Sequence, residues 1–340
     1  MSAAPLLQAR DLTVTFPGPG GQLLHAVRGI DLDLSDGEAL GVVGESGSGK
    51  SVTMLGMLGL LPRSAVVTGS ARLRGRELLG MAPRALQAIR GARIGMIFQD
   101  PLTALNPVLR VGEQIVEAIR IHDRDISRKA AVARAVDLLN LVSIPQPRER
   151  VQQYPHEFSG GMRQRAMIAM AVANEPELLI ADEPTTALDV TVQAQILEVL
   201  QDLRTRLGIG LILITHDLGV VAGTADAVAV MYAGRIVEHG DVDTVFEEPH
   251  HPYTRGLLAA LPKLDAGDAP LVGIEGRPPS LRDPPAGCAF HPRCALAEPR
   301  CRVERPTLRR VGSTWCACHL AEAADHRRDV PAGHAMDAGK

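Results

Sequence analysis

Apolar residues rich in β-branched types cluster in short runs at 12–16, 39–43, 94–98, 178–181, 210–214 and 227–231. Runs of this length and make-up predict strands. Between them the apolar positions recur with helical spacing at 50–60, 111–121, 127–141, 161–173, 190–207 and 218–222, several opened by Ser, Thr or Asp in the capping position. This alternation predicts an α/β core built on a mainly parallel sheet covered by helices. From about 81 to 173 the rhythm breaks into several helices with one convincing strand, which predicts a helical insertion. After about 250 the chain turns Pro-rich (Pro278, Pro279, Pro284, Pro285, Pro292, Pro299, Pro306) and loses periodicity, as a separate irregular module would. Beyond His319 no apolar stripe remains, so a disordered tail is expected. No repeat of solenoid period is present.

At 340 residues, 46% hydrophobic and 22% charged, the chain is long enough for one large α/β domain with a smaller appendage, and disorder over most of it is excluded. Its apolar stretches fall far short of the about 20 residues of a bilayer-spanning helix, so it is not expected to cross a membrane by itself. Residues 1–10 show neither a signal nor a transit pattern, which makes the cytoplasm the expected location. The net charge is −3 without a dense basic block, so nucleic acid is not an expected partner. Of 36 basic residues only Lys50, Lys129, Lys263 and Lys340 are lysines, which makes a lysine in a glycine-rich setting informative.

Such a lysine stands in Gly44-Glu45-Ser46-Gly47-Ser48-Gly49-Lys50-Ser51, a P-loop pattern directly after a strand and directly before a helix. Glycines let the backbone wrap a phosphate chain with its N–H groups inward, and the helix N-terminus adds partial positive charge. Lys50 would reach the β- and γ-phosphates of ATP, and Ser51 would ligate Mg²⁺. Further on, the apolar strand at 178–181 ends in Asp182 and Glu183. A carboxylate at the carboxyl edge of a parallel sheet stands where ligands bind, so Asp182 can hold the Mg²⁺ shell and Glu183 can polarise an attacking water. A solvated strand end is the plain alternative. Ser159-Gly160-Gly161 opens a helix and offers N–H groups and a hydroxyl to an anion, although Ser-Gly-Gly also caps helices with no ligand.

Taken in order, the P-loop, Gln99, Ser159-Gly160-Gly161, Asp182-Glu183, Leu188-Asp189 and His216 resemble the nucleotide-binding subunit of ABC transporters. The resemblance implies a P-loop NTPase core of ABC type with an antiparallel β subdomain beside the mainly parallel sheet. It makes Ser159 to Met162 the signature segment that touches ATP held by a partner subunit, with Phe158 and Met162 where the family usually has Leu and Gln. It makes Gln99 a flexible Mg²⁺ ligand, Asp189 part of the dimer seam, and His216 the switch histidine near the γ-phosphate. Phe16 lies where the family stacks an aromatic residue, more often Tyr, on adenine; a core Phe is the alternative.

Tyr154-Pro155-His156-Glu157, the segment 100–107 and His251-Pro252-Tyr253-Thr254 narrow the resemblance to oligopeptide/dipeptide importer ATPases and relatives that carry nickel or glutathione. That branch implies a nucleotide-binding domain over 1–250, a Cys-bearing extension over 251–320 and a tail over 321–340. It implies ATP hydrolysis driving solute import at the cytoplasmic face of the membrane. The implied partners are two integral membrane permease subunits, a second ATPase or a second copy of this chain, and indirectly an extracytoplasmic solute-binding protein. A soluble ABC ATPase acting on nucleic acid or ribosomes is the competing class, but the chain has neither sustained heptads nor a second P-loop. A P-loop kinase or GTPase would leave the Ser-Gly-Gly segment and His216 without a use.

All five cysteines lie between 288 and 318. Cytosolic thiols stay reduced, so Cys288, Cys294, Cys301 and Cys318, with Cys316 as a spare, suggest a metal centre holding a segment with too little apolar sequence for its own core. Zinc and a [4Fe–4S] cluster both accept four thiolates, and free thiols remain open. Zinc sites usually draw on Cys-x₂₋₄-Cys pairs, which are absent here, while the family resemblance implies the [4Fe–4S] cluster.

Overall fold

The computed structural model describes residues 4–186, 188–261 and 273–322. The tail expected over 321–340 therefore falls almost wholly outside the described residues. In chain order the strands are β1 (Leu7–Pro17), β2 (Leu23–Leu34), β3 (Ala39–Val43), β4 (Val66–Leu73), β5 (Arg76–Glu77), β6 (Ile94–Ile97), β7 (Leu178–Asp182), β8 (Gly210–Thr215), β9 (Ala227–Tyr232), β10 (Arg235–Asp241), β11 (Arg309–Val311) and β12 (Thr314–Cys316).

Two sheets result. The smaller is antiparallel, in the order β2-β1-β4-β5, and the larger runs β11-β12-β10-β9-β3-β8-β7-β6. In the larger sheet β9, β3, β8, β7 and β6 are mutually parallel, while β10, β12 and β11 join antiparallel at one end. Strands β3, β7 and β8 are buried along their whole length, as their unbroken apolar sequences require. Their side chains still sort by the two-residue period. Leu211 and Leu213 of β8 pack with the helical layer, and Ile212 and Ile214 pack with the antiparallel sheet. Each such full burial contributes roughly 1.5–3 kcal/mol.

The helical layer comes from 111–122, 128–141 and 160–171, with 190–207 beside it. Ser127, Ser159 and Asp189 cap three of these helices by accepting a backbone N–H of the first turn. Within the stretch read as an insertion, β6 belongs to the edge of the large sheet, against β7.

The strands β2, β4 and β10 add to those predicted. In β2 the apolar–acidic alternation at 30–34 is regular and buries Ile30, Leu32 and Leu34, but its first residues and those of β4 mix exposed apolar with polar positions, β10 is interrupted by the buried Glu238, and the register between β1 and its neighbours shifts around Arg10 to Thr13. The C-terminal extension is also more integrated than its composition suggests. Strand β12 adds to β10 of the large sheet, and a helix at Pro252–Ala259 packs Tyr253 against Tyr232 and Phe290, at ring-centroid distances of 4.6 and 5.4 Å. The extension is irregular as expected over most of its described length, and the three-residue strands and the aromatic cluster that join it to the large sheet leave no periodic trace.

Candidate active site

Strands β3, β6, β7 and β8 are parallel, so the loops leaving their carboxyl ends collect at one edge of the sheet. The P-loop leaves β3, Gln99 follows β6, Asp182 ends β7 and His216 follows β8. Four segments distant in sequence meet for that reason alone. A cavity of about 460 Å³ there is lined by Gly44, Glu45, Ser46, Gln99, Glu183, His216 and Leu257.

The loop needs its glycines. At Gly44, φ is +151° and a Cβ would stand 2.2 Å from the Met231 carbonyl oxygen, so no other residue fits. Lys50 opens the helix Lys50–Met57 and folds back, its Nζ donating to the carbonyls of Gly44 at 2.6 Å and Glu45 at 3.1 Å. Burial lowers the pKa of Lys50, against the charges of Glu183, Asp182 and Glu45. Ser48 Oγ is buried in the loop without a hydrogen-bond partner among the described residues. That orphan donor, and a buried ammonium resting on carbonyls, fit a phosphate chain.

Ser51 Oγ donates to Asp182 Oδ1 at 2.7 Å. Burial raises the pKa of Asp182, and the neighbouring Glu183 pushes the same way. A buried carboxylate next to a second carboxylate fits a divalent cation shared with the Ser51 hydroxyl. Glu183 itself has φ +47°, a left-handed backbone that costs about 1–3 kcal/mol in a residue with a Cβ. Its N–H bonds to the Ile214 carbonyl at 2.9 Å, which holds that conformation. Its carboxylate accepts from Gln99 Nε2 and Thr186 Oγ1, each at 2.9 Å, and His216 Nδ1 stands 3.5 Å away. The pair of acids therefore divides: Asp182 is buried against Ser51, and Glu183 is turned into the cavity by its backbone.

The remaining candidates stand elsewhere. Ser159 is exposed, accepts the Met162 N–H at 3.3 Å and does not line the cavity; Met162 is half-buried against the helical core. A Cβ on Gly161 would lie 2.6 Å from Val192 Cγ1, while Gly160 has ordinary space beside Leu188. Asp189 is exposed and caps the helix Val190–Leu207. Phe16 is half-buried in β1, opposite Leu24, among residues of the antiparallel sheet's core. Leu257, Tyr253 and Arg293 reach the P-loop region from the extension and were not singled out by spacing; only the segment 251–254 had marked that region, without a role.

Cys288, Cys294, Cys301 and Cys318 line one small cavity of about 10 Å³, with His251, Phe290, His291 and His319. Cys316 is apart, in β12 opposite Glu238. Burial pushes up the pKa of Cys288, Cys294 and Cys318, and the neighbouring thiols add to it. Among the described residues, however, no group of three or more His, Cys, Asp or Glu is arranged to hold a metal ion, so the expected metal centre has no support as a formed site. The donor chemistry fits a thiolate-bound group; the space and arrangement do not yet present one. No described helix is long and apolar enough to cross a membrane.

Comparison with known proteins agrees with this geometry. The ABC transporter family profile matches residues 27–186, and the profile of the oligopeptide/dipeptide transporter C-terminal region matches 237–301. The oligopeptide transport ATP-binding protein OppD of Bacillus subtilis is 52% identical over 312 residues, covering 91% of this chain and 87% of that protein. The dipeptide transport ATP-binding protein DppD of the same species is 53% identical, covering 85% and 86%. OppD of Mycobacterium tuberculosis is 53% identical over 95% of this chain, which spans only about half, 51%, of that relative's length. Among solved structures, the dimeric post-hydrolysis ATP-binding cassette MJ0796 with ADP and Pi superposes with a TM-score of 0.63 at 25% identity, over 69% of this chain and 98% of its own. Sequence, sheet topology and site thus converge, and the chain belongs to the ATP-binding subunits of ABC transporters, in their oligopeptide/dipeptide branch.

Proposed function

We propose that this chain is the ATP-hydrolysing subunit that powers import of peptides or similar small solutes through separate membrane subunits. The observation that carries the reading is the meeting of Lys50, the Ser51–Asp182 pair and the Gln99–Glu183–His216 group at one sheet edge. In this reading Lys50 leaves the loop carbonyls for the β- and γ-phosphates, and Ser48 donates to a phosphate oxygen. Ser51 and Asp182, with Gln99 as a flexible further ligand, would hold Mg²⁺, which when bound would neutralise phosphate charge. Glu183 takes the proton of the attacking water, while Gln99 and His216 orient the carboxylate and the γ-phosphate side of the cavity.

Ser159, Gly160, Gly161, Met162 and Asp189 serve a second nucleotide site across a dimer seam. The exposure of Ser159 and Asp189 and the position of all five away from this chain's own cavity support that role, as does the dimeric form of the matched cassette. Phe16 stacks on the adenine. The partners are two membrane permease subunits, reached at the cytoplasmic face through the exposed Leu102 and Val108 that follow Gln99. A second ATPase or a second copy completes the dimer, and a solute-binding protein delivers cargo from outside. Residues 1–250 form the nucleotide-binding domain and 251–320 the importer-type extension. In that extension Cys288, Cys294, Cys301 and Cys318 are the thiols that would hold a [4Fe–4S] cluster, with Zn²⁺ as the runner-up, and the cavity of about 10 Å³ between them would have to open to admit either. The alternative of a soluble ATPase acting on nucleic acid or ribosomes gains nothing from the matched transporter regions.

Co-purification with the membrane subunits, mass spectrometry of the bound solute and ATP-driven uptake of labelled peptides into vesicles test the reading. ATP hydrolysis indifferent to the membrane subunits, with no peptide uptake, overturns it. Anaerobically purified protein should carry about four irons per chain and absorb broadly near ~400 nm. One zinc per chain selects the runner-up, and folded protein with neither metal removes both.

A further inference from the structure

We propose that Arg293 and Tyr253 of the C-terminal extension are positioning residues for the P-loop, holding Glu45 from behind so that the loop keeps its phosphate-receiving shape. The inference rests on the nucleotide-binding reading of the loop and adds a control on it from outside the ABC core.

Glu45 follows Gly44 in the loop, and while its carbonyl accepts from Lys50, its carboxylate and N–H point into the extension. Arg293 donates to both carboxylate oxygens, Nη1 to Oε2 at 2.6 Å and Nη2 to Oε1 at 2.9 Å, in a bidentate fork. The Arg293 side chain is 4% exposed. Its other donors are used as well: Nη1 also reaches Tyr232 Oη at 3.3 Å, Nη2 the Ile274 carbonyl at 3.2 Å and Nε the Glu275 carbonyl at 2.9 Å. A guanidinium with every arm engaged has one place to be, and so fixes what it holds. The Glu45 N–H, meanwhile, donates to Tyr253 Oη at 2.8 Å. Tyr253 is fully buried, its ring packed on Tyr232 and Phe290.

Two consequences follow for the nucleotide. The Glu45 amide is already spent on Tyr253, so this residue anchors the loop and does not itself donate to a phosphate. The Glu45 carboxylate would repel an incoming triphosphate, and Arg293 neutralises it while tying its backbone to the extension. The same extension supplies Leu257 to the cavity wall. The ABC core therefore does not build its phosphate site alone. Residues 208 and 248 positions downstream of Glu45 in sequence set the stiffness and charge of the loop.

The test measures ATP binding by calorimetry and the Michaelis parameters of hydrolysis on the full chain assembled with its partners. Arg293→Met should weaken ATP affinity about tenfold or more, because it leaves Glu45 charged and untethered. The loss should appear in KM, with kcat at saturating ATP near wild type, which general destabilisation would not produce. Arg293→Lys keeps the charge without the fork and should recover part of the affinity. Tyr253→Phe should weaken binding about fivefold, the worth of one hydrogen bond. Wild-type ATP affinity in folded Arg293→Met overturns the proposal. If that variant does not fold, wild-type affinity in both Arg293→Lys and Tyr253→Phe does so instead. Lys50→Ala separates the two readings: should it also leave ATP binding intact, the nucleotide reading fails; should it abolish binding while the three variants are silent, only the positioning role fails.

Discussion

Glu183→Gln exchanges one carboxylate oxygen for an amide and keeps the side chain's shape, so it isolates charge and basicity at the cavity. The left-handed backbone of Glu183 and its N–H bond to Ile214 do not depend on the side chain and should persist. The amide oxygen can still accept from Gln99 or Thr186, which bond the native carboxylate at 2.9 Å. What is lost is the proton acceptor. A positioned general base is worth about 10²–10⁴ in rate, or about 3–5 kcal/mol of barrier, and turnover should fall by that factor. Binding should move the other way. Glu183 now opposes the negative charge of Asp182 and would oppose a γ-phosphate equally. At a separation of about 5 Å and an effective dielectric of about 20, removing it relieves about 3 kcal/mol as an upper bound. Its side chain is 16% exposed, so water screens part of this, and ATP should bind roughly tenfold tighter. The assay is phosphate release by the assembled complex at saturating MgATP beside calorimetric ATP affinity, and the variant should accumulate ATP-bound dimers. Turnover above about a tenth of wild type would remove Glu183 from the role of base.

Lys50→Ala deletes the loop's cation and should weaken ATP binding well over tenfold; an unaltered affinity in a nucleotide titration would sink the P-loop assignment. Gly161→Ala places a Cβ 2.6 Å from Val192 Cγ1, so it should cost about 1–3 kcal/mol in denaturant unfolding, and adding Val192→Ala should return most of that. Failure of the second change to rescue would mean that the helix N-terminus resists side chains for another reason. Glu177 bonds Arg93 and Arg74, and these guanidiniums, Arg93 first, hold its carboxyl below the usual range. The folded state therefore takes up that proton at lower pH than the unfolded chain, so this contribution is present above about pH 4.5 and fades as pH falls through the folded value. Glu177→Gln should accordingly lower stability at pH 7 but flatten its acid limb, measured as urea midpoints at pH 7 and pH 4; parallel curves for both proteins would refute it. Leu102→Cys, 63% exposed beside Gln99 in wild type, should crosslink to a membrane subunit in the assembled transporter, and consistent failure in an intact complex would place the docking surface elsewhere.

Part of this protein is determined by sequence alone because its physical causes are local. The P-loop is legible since Gly44 must accept φ +151° against a carbonyl, and a lysine next to such glycines has few other uses. The strands at 39–43, 178–182 and 210–215 are legible since a strand buried on both faces must be apolar throughout. Helix caps at Ser127, Ser159 and Asp189 are legible since the cap bond spans three residues. The first half of β2 and the strand β4 are not, because exposed apolar residues such as Leu23 and Val66 blur their pattern, and β10 carries a buried Glu238, so neighbours in the sheet settle their pairing. The same limit governs the site. Only parallel packing of β3, β6, β7 and β8 brings Gln99, Asp182, Glu183 and His216 to the loop, and only the docked extension turns Glu45 toward Arg293, 248 residues away. The tertiary structure also gathers Cys318 with the three other thiols and leaves Cys316 on the sheet, since β12 ends at Cys316 and the chain leaves the sheet before Cys318. Contacts at that separation are set by which surfaces must be buried together, and no local pattern in either partner encodes them.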